Sequence, residues 1–279
     1  MESDGEFIMA VKYLSGNRIW GTNAERLAMT TGGATVEDDM TDSSLWTFTN
    51  ASMSSGYIHV PTGANPPNLA SRAVTLTDNY DEMCIDIDYK MENGQTDMTF
   101  CGVVSFLASG INPYGASTIT NSNQTLTIGS TNTDRYNLWR GKESSGTTDH
   151  NQSFGGSPTP STTLFYYRII VDIPDITVKR YTSDANRTDD TGTIVTDTTT
   201  LDATKTAVYR ACNKFSHFYT GCYSTSADNT YLYGFKIYEN STTPIATVYP
   251  NLPNGSVFIT SDTNVHYMWN GTDTWNEVA

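Results

Sequence analysis

Positive charge is scarce in this 279-residue chain: 16 Lys and Arg stand against 30 Asp and Glu, and the formal net charge is −14. Affinity for a phosphate backbone comes mainly from cationic side chains that release condensed counterions, so nucleic acid is not an expected partner. The same deficit argues against adhesion to an anionic membrane surface. Charge of either sign is thin, at 16% of residues, against the roughly 25% of an average soluble protein. No apolar run approaches the roughly 20 residues of a membrane helix, so no membrane insertion is expected. The opening residues, MESDGEFIMA, carry acids where a secretory signal carries Lys or Arg before an apolar stretch.

Cysteine is limited to Cys84, Cys101, Cys212 and Cys222, and histidine to four residues. No C-x2-C pair is present to hold zinc. Cys84 and Cys101 flank Asn93-Gly94 almost symmetrically, and side-chain alternation puts both on the polar face of their strands. They could face each other across a hairpin, and Cys212 and Cys222 could do likewise; four free thiols are equally compatible with the sequence. His59, His150, His217 and His266 lie in unrelated contexts, and no serine sits in G-x-S-x-G. The one Gly-rich segment, 30–34, lacks the Lys and following helix of a phosphate cradle.

What the chain has in quantity is short β-branched and aromatic runs separated by Gly, Asn, Asp, Ser and Pro. The clearest are 83–89 (MCIDIDY), 98–107 (MTFCGVVSFL), 164–171 (LFYYRIIV), 176–181 (ITVKRY), 207–211 (AVYRA), 218–223 (FYTGCY) and 231–238 (YLYGFKIY). Helical periodicity shows once, over 23–29. Many strands without intervening helices predict an all-β fold, an antiparallel sandwich or barrel. In 83–89 the residues Met83, Ile85, Ile87 and Tyr89 take the buried face, and Cys84, Asp86 and Asp88 the other. In 98–107 Met98, Phe100, Val104 and Phe106 share one side, and Thr99, Cys101 and Ser105 the other. The weaker alternation of 164–171 suggests a strand covered on both faces.

Three zones follow. Residues 1–35 form an N-terminal arm with an apolar patch (Val11, Tyr13, Leu14, Ile19, Trp20), 36–248 the strand-rich body, and 249–279 a compact β-hairpin module in which Trp269 and Trp275 make a small core. The apolar arm needs burial, which predicts a homo-oligomer. Two polar stretches, 141–163 and 183–206, read as long loops within the body.

The succession LFYYRIIVDIPDITVKRY (164–181), FYTGCYS (218–224) and YLYGFKIYE (231–239) resembles the second half of concanavalin A-like lectin/glucanase domains, including laminin-G-like ones. The resemblance implies a jelly-roll β-sandwich. The segment 252–278, LPNGSVFITSDTNVHYMWNGTDTWNEV, resembles a small terminal module of phage and virus structural proteins, and VKYLSGNRIWGT (11–22) is similar to the starts of virion-associated sequences. Together these imply a protein on the surface of a virus particle, such as a tail fibre, spike or capsid decoration, with other virion proteins and host surface glycans as partners. An extracellular adhesin is the alternative.

The glucanase branch of that superfamily uses paired acids on one strand face. Here the nearest set, Glu82, Asp86 and Asp88, lacks the E-x-D-x-E spacing and reads as acids on a solvated sheet, so no enzyme is expected. Sugar binding needs aromatic faces beside planar polar groups; Tyr114, Tyr136, Trp139, Arg140 and Tyr166 are the candidates, with core packing the competing role for Tyr136 and Trp139. No cofactor is required. Calcium is the one ion the resemblance allows, with Asp172 and Asp175, or Asp184 with Asp189 and Asp190, as hard oxygen donors.

Overall fold

The computed structural model describes residues 12–14, 18–22, 26, 34–61, 68–74, 76, 81–91, 98–105, 124–130, 136–142, 149–154, 161–212, 214–223, 229–244, 252–272 and 274–278. They divide into two compact units, one of residues 34–244 and one of residues 1–33 with 245–279.

The larger unit is an antiparallel β-sandwich. Its eight-stranded sheet contains β3 (Val36–Asp38), β5 (Ser52–Ser54), β6 (Tyr57–Val60), β8 (Glu82–Met91), β13 (Ser161–Asp172), β14 (Asp175–Tyr181), β15 (Val195–Thr200) and β17 (Thr230–Glu239), with β8 between β13 and β17. The seven-stranded sheet contains β4 (Trp46–Thr49), β7 (Asn68–Ala73), β9 (Met98–Val104), β10 (Gln124–Ser130), β11 (Tyr136–Lys142), β12 (Asp149–Phe154) and β16 (His217–Tyr223). Every pairing in both sheets is antiparallel, which suits a chain whose strands bury one face and leave the other to polar residues.

The core lies between the two sheets. β8 supplies Met83, Ile85, Ile87, Tyr89 and Met91 at alternate positions, β13 supplies Tyr167, Ile169 and Val171, and β16 supplies Phe218 and Cys222. Phe218 of one sheet stacks on Phe235 of the other, ring centroids 3.7 Å apart, and Trp46 meets both edge-on. Gly221 leaves room for Phe100 on the far face of the seven-stranded sheet, where a Cβ would run into that ring. There Phe100 packs on Leu69, Val104 and Tyr219.

The strand read as 207–211 is instead the end of a helix, α2 (Ala203–Ala211), which follows the shorter α1 (Asp184–Thr188). Asp202 caps α2 by accepting the amide of Lys205, the alanines favour a helix, and Val208 and Tyr209 face the core. The two presumed loops are likewise structured: 141–163 contains β12, and 183–206 contains α1, β15 and the start of α2. Only Arg26 of the helical stretch 23–29 is described, and it is helical.

The smaller unit is one five-stranded sheet: β1 (Lys12–Leu14), β2 (Arg18–Gly21), β18 (Val257–Thr260), β19 (His266–Trp269) and β20 (Trp275–Val278), in that order. β2 pairs in parallel with β18, so the N-terminal arm and the C-terminal hairpin share one sheet. Ile19 and Phe258 are neighbours in register and both are buried; Trp269 is buried against Trp275, 5.2 Å away. The burial expected from a partner subunit is therefore supplied to Ile19 by the chain itself, while Trp20 stays 39% exposed. Tyr13 and Leu14 lie on β1, and Val11 falls outside the described residues.

Candidate functional site

The site is on the outer face of the eight-stranded sheet, which strand alternation fills with polar and aromatic residues. On β8 this face carries Cys84, Asp86, Asp88 and Lys90; on β17 it carries Tyr231 and Tyr233, then, past a bulge at Leu232/Gly234, Gly234, Lys236 and Tyr238. Register places Glu37, Lys236, Asp86, Arg168 and Lys179 in one row across five strands. The face has two halves.

One half is closed. Arg168 grips Asp86 with two hydrogen bonds, Nε to Oδ1 at 2.7 Å and Nη2 to Oδ2 at 2.9 Å, and its Nη1 donates to the carbonyl of Arg187 at 2.9 Å. Residues 183–190 thereby cross the sheet as a strap. Arg187 donates to Asp88 at 2.6 Å and to Asp184 at 2.5 Å, and its guanidinium lies over Tyr166, 5.3 Å from the ring centre. At the strap's end Asp190 accepts from Lys179 at 2.7 Å and from the Tyr181 hydroxyl at 2.5 Å. Asp86, Arg168 and Arg187 are each 5% exposed. Burial by itself disfavours the charged guanidinium of Arg168, but its hydrogen bonds to Asp86 and the charge there more than offset this and raise its pKa. Burial raises the Asp88 carboxyl although Arg187 pulls the other way. Burial and the neighbouring Asp86 charge push the Cys84 thiol up to about 12, which removes it as a nucleophile near neutral pH. Asp86 and Asp88 are thus ion-paired beneath a strap rather than solvated. An acid clamped by two guanidinium groups is badly placed to exchange protons with a glycosidic oxygen.

The other half is left open by the described residues. Tyr57 and His59 project from β6 and Tyr231 and Tyr233 from β17, all four half-buried. Tyr57 lies 5.9 Å from Tyr231 and 5.6 Å from Tyr233, while His59 stacks on Tyr231 at 5.0 Å with 14° between planes. Asn229 steadies the imidazole, Oδ1 to Nε2 at 3.1 Å, and the Lys90 ammonium sits 4.7 Å from the centre of Tyr231. Next to this aromatic strip is a pocket of about 110 Å³, to which Tyr233, Asp39, Asp88, Arg187 and Lys236 contribute. Gly234 keeps it open, because a Cβ there would sit 3.2 Å from the Asp38 carbonyl and 3.6 Å from Asp88 Oδ2. A larger cleft of about 390 Å³ shares Asp38, Asp39 and Lys236 with the pocket and extends to Arg72 and Asp42. Asp38 is structural within it, accepting from the Met40 amide, the Trp46 indole and Arg72.

The residues singled out from the sequence scatter over the molecule. Trp139 is fully buried in the core beside Tyr209, its indole 3.4 Å from Gln124 Oε1, so it is no sugar platform. Arg140 is 5% exposed on the same strand, β11, which belongs to the seven-stranded sheet. Tyr136 begins that strand, and Tyr114 falls outside the described residues. Tyr166 alone reaches the open-and-closed face, where Arg187 covers it. The signal for the aromatic strip was in the alternation of YIHV and YLY, where the small aliphatic residues Ile58, Val60 and Leu232 take the core and leave the rings outside.

The disulfide pairs do not form. None of the four cysteines is in a disulfide and all are buried, with Cys84 on the outer face of one sheet and Cys101 in the other sheet, pointing into the core. β8 and β9 are consecutive but change sheets, which separates the two thiols, and on β9 it is Cys101 and Val103 that face inward while Phe100 and Val104 face out. Asp172 and Asp175 are cross-strand partners at the β13–β14 turn, and Asp175 already accepts from Thr200 at 2.5 Å. No group of three or more His, Cys, Asp or Glu suited to a metal occurs among the described residues. Asp184 and Asp190 are engaged by Arg187 and Lys179. No helix among the described residues is long and apolar enough to cross a membrane.

No protein-family model and no curated protein sequence matches the chain. Solved structures similar to it include the exoplasmic/lumenal domain of VIP36 in its Ca2+/Man3GlcNAc-bound form, with 10% identity over 75% of this chain and 93% of that one and a TM-score of 0.48. The legume lectin-like domain from Entamoeba histolytica is similar at 9% identity, covering 75% and 99%, with a TM-score of 0.47. The potassium-bound carbohydrate recognition domain of Emp46p is similar at 13% identity, covering 75% and 94%, with a TM-score of 0.47.

Proposed function

We propose that this protein binds glycans, without cleaving them, through the open half of its eight-stranded sheet. The observation that carries the proposal is the aromatic strip of Tyr57, His59, Tyr231 and Tyr233 running into a polar pocket. A pyranose presents a C–H face that packs on rings and a rim of hydroxyls that suits carboxylate acceptors, and this surface offers both. The test is a glycan array probed with the protein and with the Tyr231→Ala/Tyr233→Ala double variant. Burying a sugar's C–H face on the two rings should contribute at least about 1.4 kcal/mol, so losing both should weaken binding by about tenfold or more. Equal binding by protein and variant would defeat the proposal.

Its setting in this reading is the outside of a virus particle, as a homo-oligomeric fibre, spike or decoration subunit. The resemblance of 11–22 and 252–278 to virion sequences supports it, and those two segments pair directly through β2 and β18. Light scattering and electron micrographs of the purified protein test it: a ring, trimer or filament supports a structural subunit, and a monomer at all concentrations counts against one.

A further inference from the structure

We infer that this surface selects uncharged glycans and rejects acidic ones; the inference rests on the glycan-binding role proposed above. A site for sialylated, uronic or sulfated sugars needs a cation able to meet the anion, most often an arginine presenting its planar fork. Both guanidinium groups that border the pocket and its cleft among the described residues are committed elsewhere. Arg72 is tied to Asp38 at 2.5 Å and to the Glu37 carbonyl at 3.0 Å, and Arg187 lies between Asp88 and Asp184. Two lysines border this surface, Lys90 over the Tyr231 ring and the exposed Lys236 at 3.7 Å from the exposed Glu37, and each offers a point charge without the planar fork. The carboxylates are less occupied. Asp39 and Asp42 accept from the neighbouring hydroxyls of Thr41 and Ser44, both exposed, and each keeps acceptor capacity for a sugar hydroxyl. An anionic sugar brought here gains no bidentate partner and meets Glu37, Asp39 and Asp42 on a chain of net charge −14. A neutral sugar donates its hydroxyl protons to the same groups. The excess of carboxylates thus does opposite things to the two ligand classes.

The test measures binding of the full chain to neutral hexose oligosaccharides, each matched with its sialylated or sulfated counterpart, at about 10 mM and about 1 M salt, where the Debye length falls from about 30 Å to about 3 Å. The acidic member should bind about tenfold more weakly at low salt, with the gap closing at high salt. Glu37→Gln/Asp39→Asn, at two exposed positions, should narrow the gap at low salt. Acidic members that bind as tightly as neutral ones at low salt, with binding still lost in Tyr231→Ala/Tyr233→Ala, would overturn the charge selection and leave the aromatic site standing. Binding by no glycan, or binding indifferent to that double variant, would overturn the site and the selection together.

Discussion

The two halves of the outer face come from the same strands under the same alternation rule, yet they end in opposite states. On β8, Asp86 and Asp88 are covered by a strap and ion-paired, whereas two residues further Lys90 faces an open cluster of rings. The difference lies in what crosses above them. Residues 183–190 pack on β13 and β14, and the Arg187 side chain reaches across to Asp88 of β8. Over β6 and β17 no described segment is tied down in this way, and the four rings remain half-buried. A row of charges on a sheet is therefore no guide to a site; a row left with incompletely used surface is a better one.

The closed half should fail the hardest when a partner is removed. Arg168→Ala leaves Asp86 buried with only Arg187 nearby, at 3.6 Å, and deprives the strap of an anchor. Breaking a buried pair from one side costs about 3–5 kcal/mol, which urea denaturation would record as a lowered midpoint. A loss below about 1 kcal/mol would mean that Asp86 rehydrates, and that the strap is loose.

In the open half, substitutions should change binding far more than stability. Asp39→Ala, at an exposed position lining the pocket, leaves all four rings in place, and glycan affinity should drop by about tenfold with a small change in melting temperature. An unchanged affinity would confine the site to the aromatic strip.

The smallest effect concerns acid. Hydrogen bonds from Lys179 and then Tyr181 lower the Asp190 carboxyl below its usual 3.8, so the stability it contributes is complete above that pH and is lost as pH falls through the lowered value. Asp88 moves the opposite way through burial, so its folded form holds a proton more readily than the unfolded chain does. Carbon NMR titration should place Asp190 below 3.8 and Asp88 above it; the reverse order would show that the strap is not docked as described.

Much of the sandwich could be read from residues 83–89, where alternation is regular, and from 164–181, where neighbours in sequence are neighbours in the sheet. The reading broke down where one stretch allows two periods. AVYRA reads as a short β-branched and aromatic run like the strands, and the Asp202 cap and the core contacts of Val208 and Tyr209 make it helical. Trp139 and Arg140 looked like a binding pair because they sit beside polar loops, and both are buried. On β9 the inward and outward sets exchanged, because Phe100 found a second apolar patch with Leu69, Val104 and Tyr219 outside the main core.

By itself the sequence determined the all-β class, the inward face of β8 and the polarity of its outward face, since these follow from a two-residue period and a charge deficit that no packing can change. Tertiary structure alone decided which sheet each strand joined, and so that Cys84 and Cys101 never meet. It also decided that Tyr57 and His59, some 170 residues from Tyr231 and Tyr233 in the chain, share one surface. Contacts of that span come from strand order, and strand order is settled by how two sheets bury a common core, a sum over the whole chain that no local pattern carries.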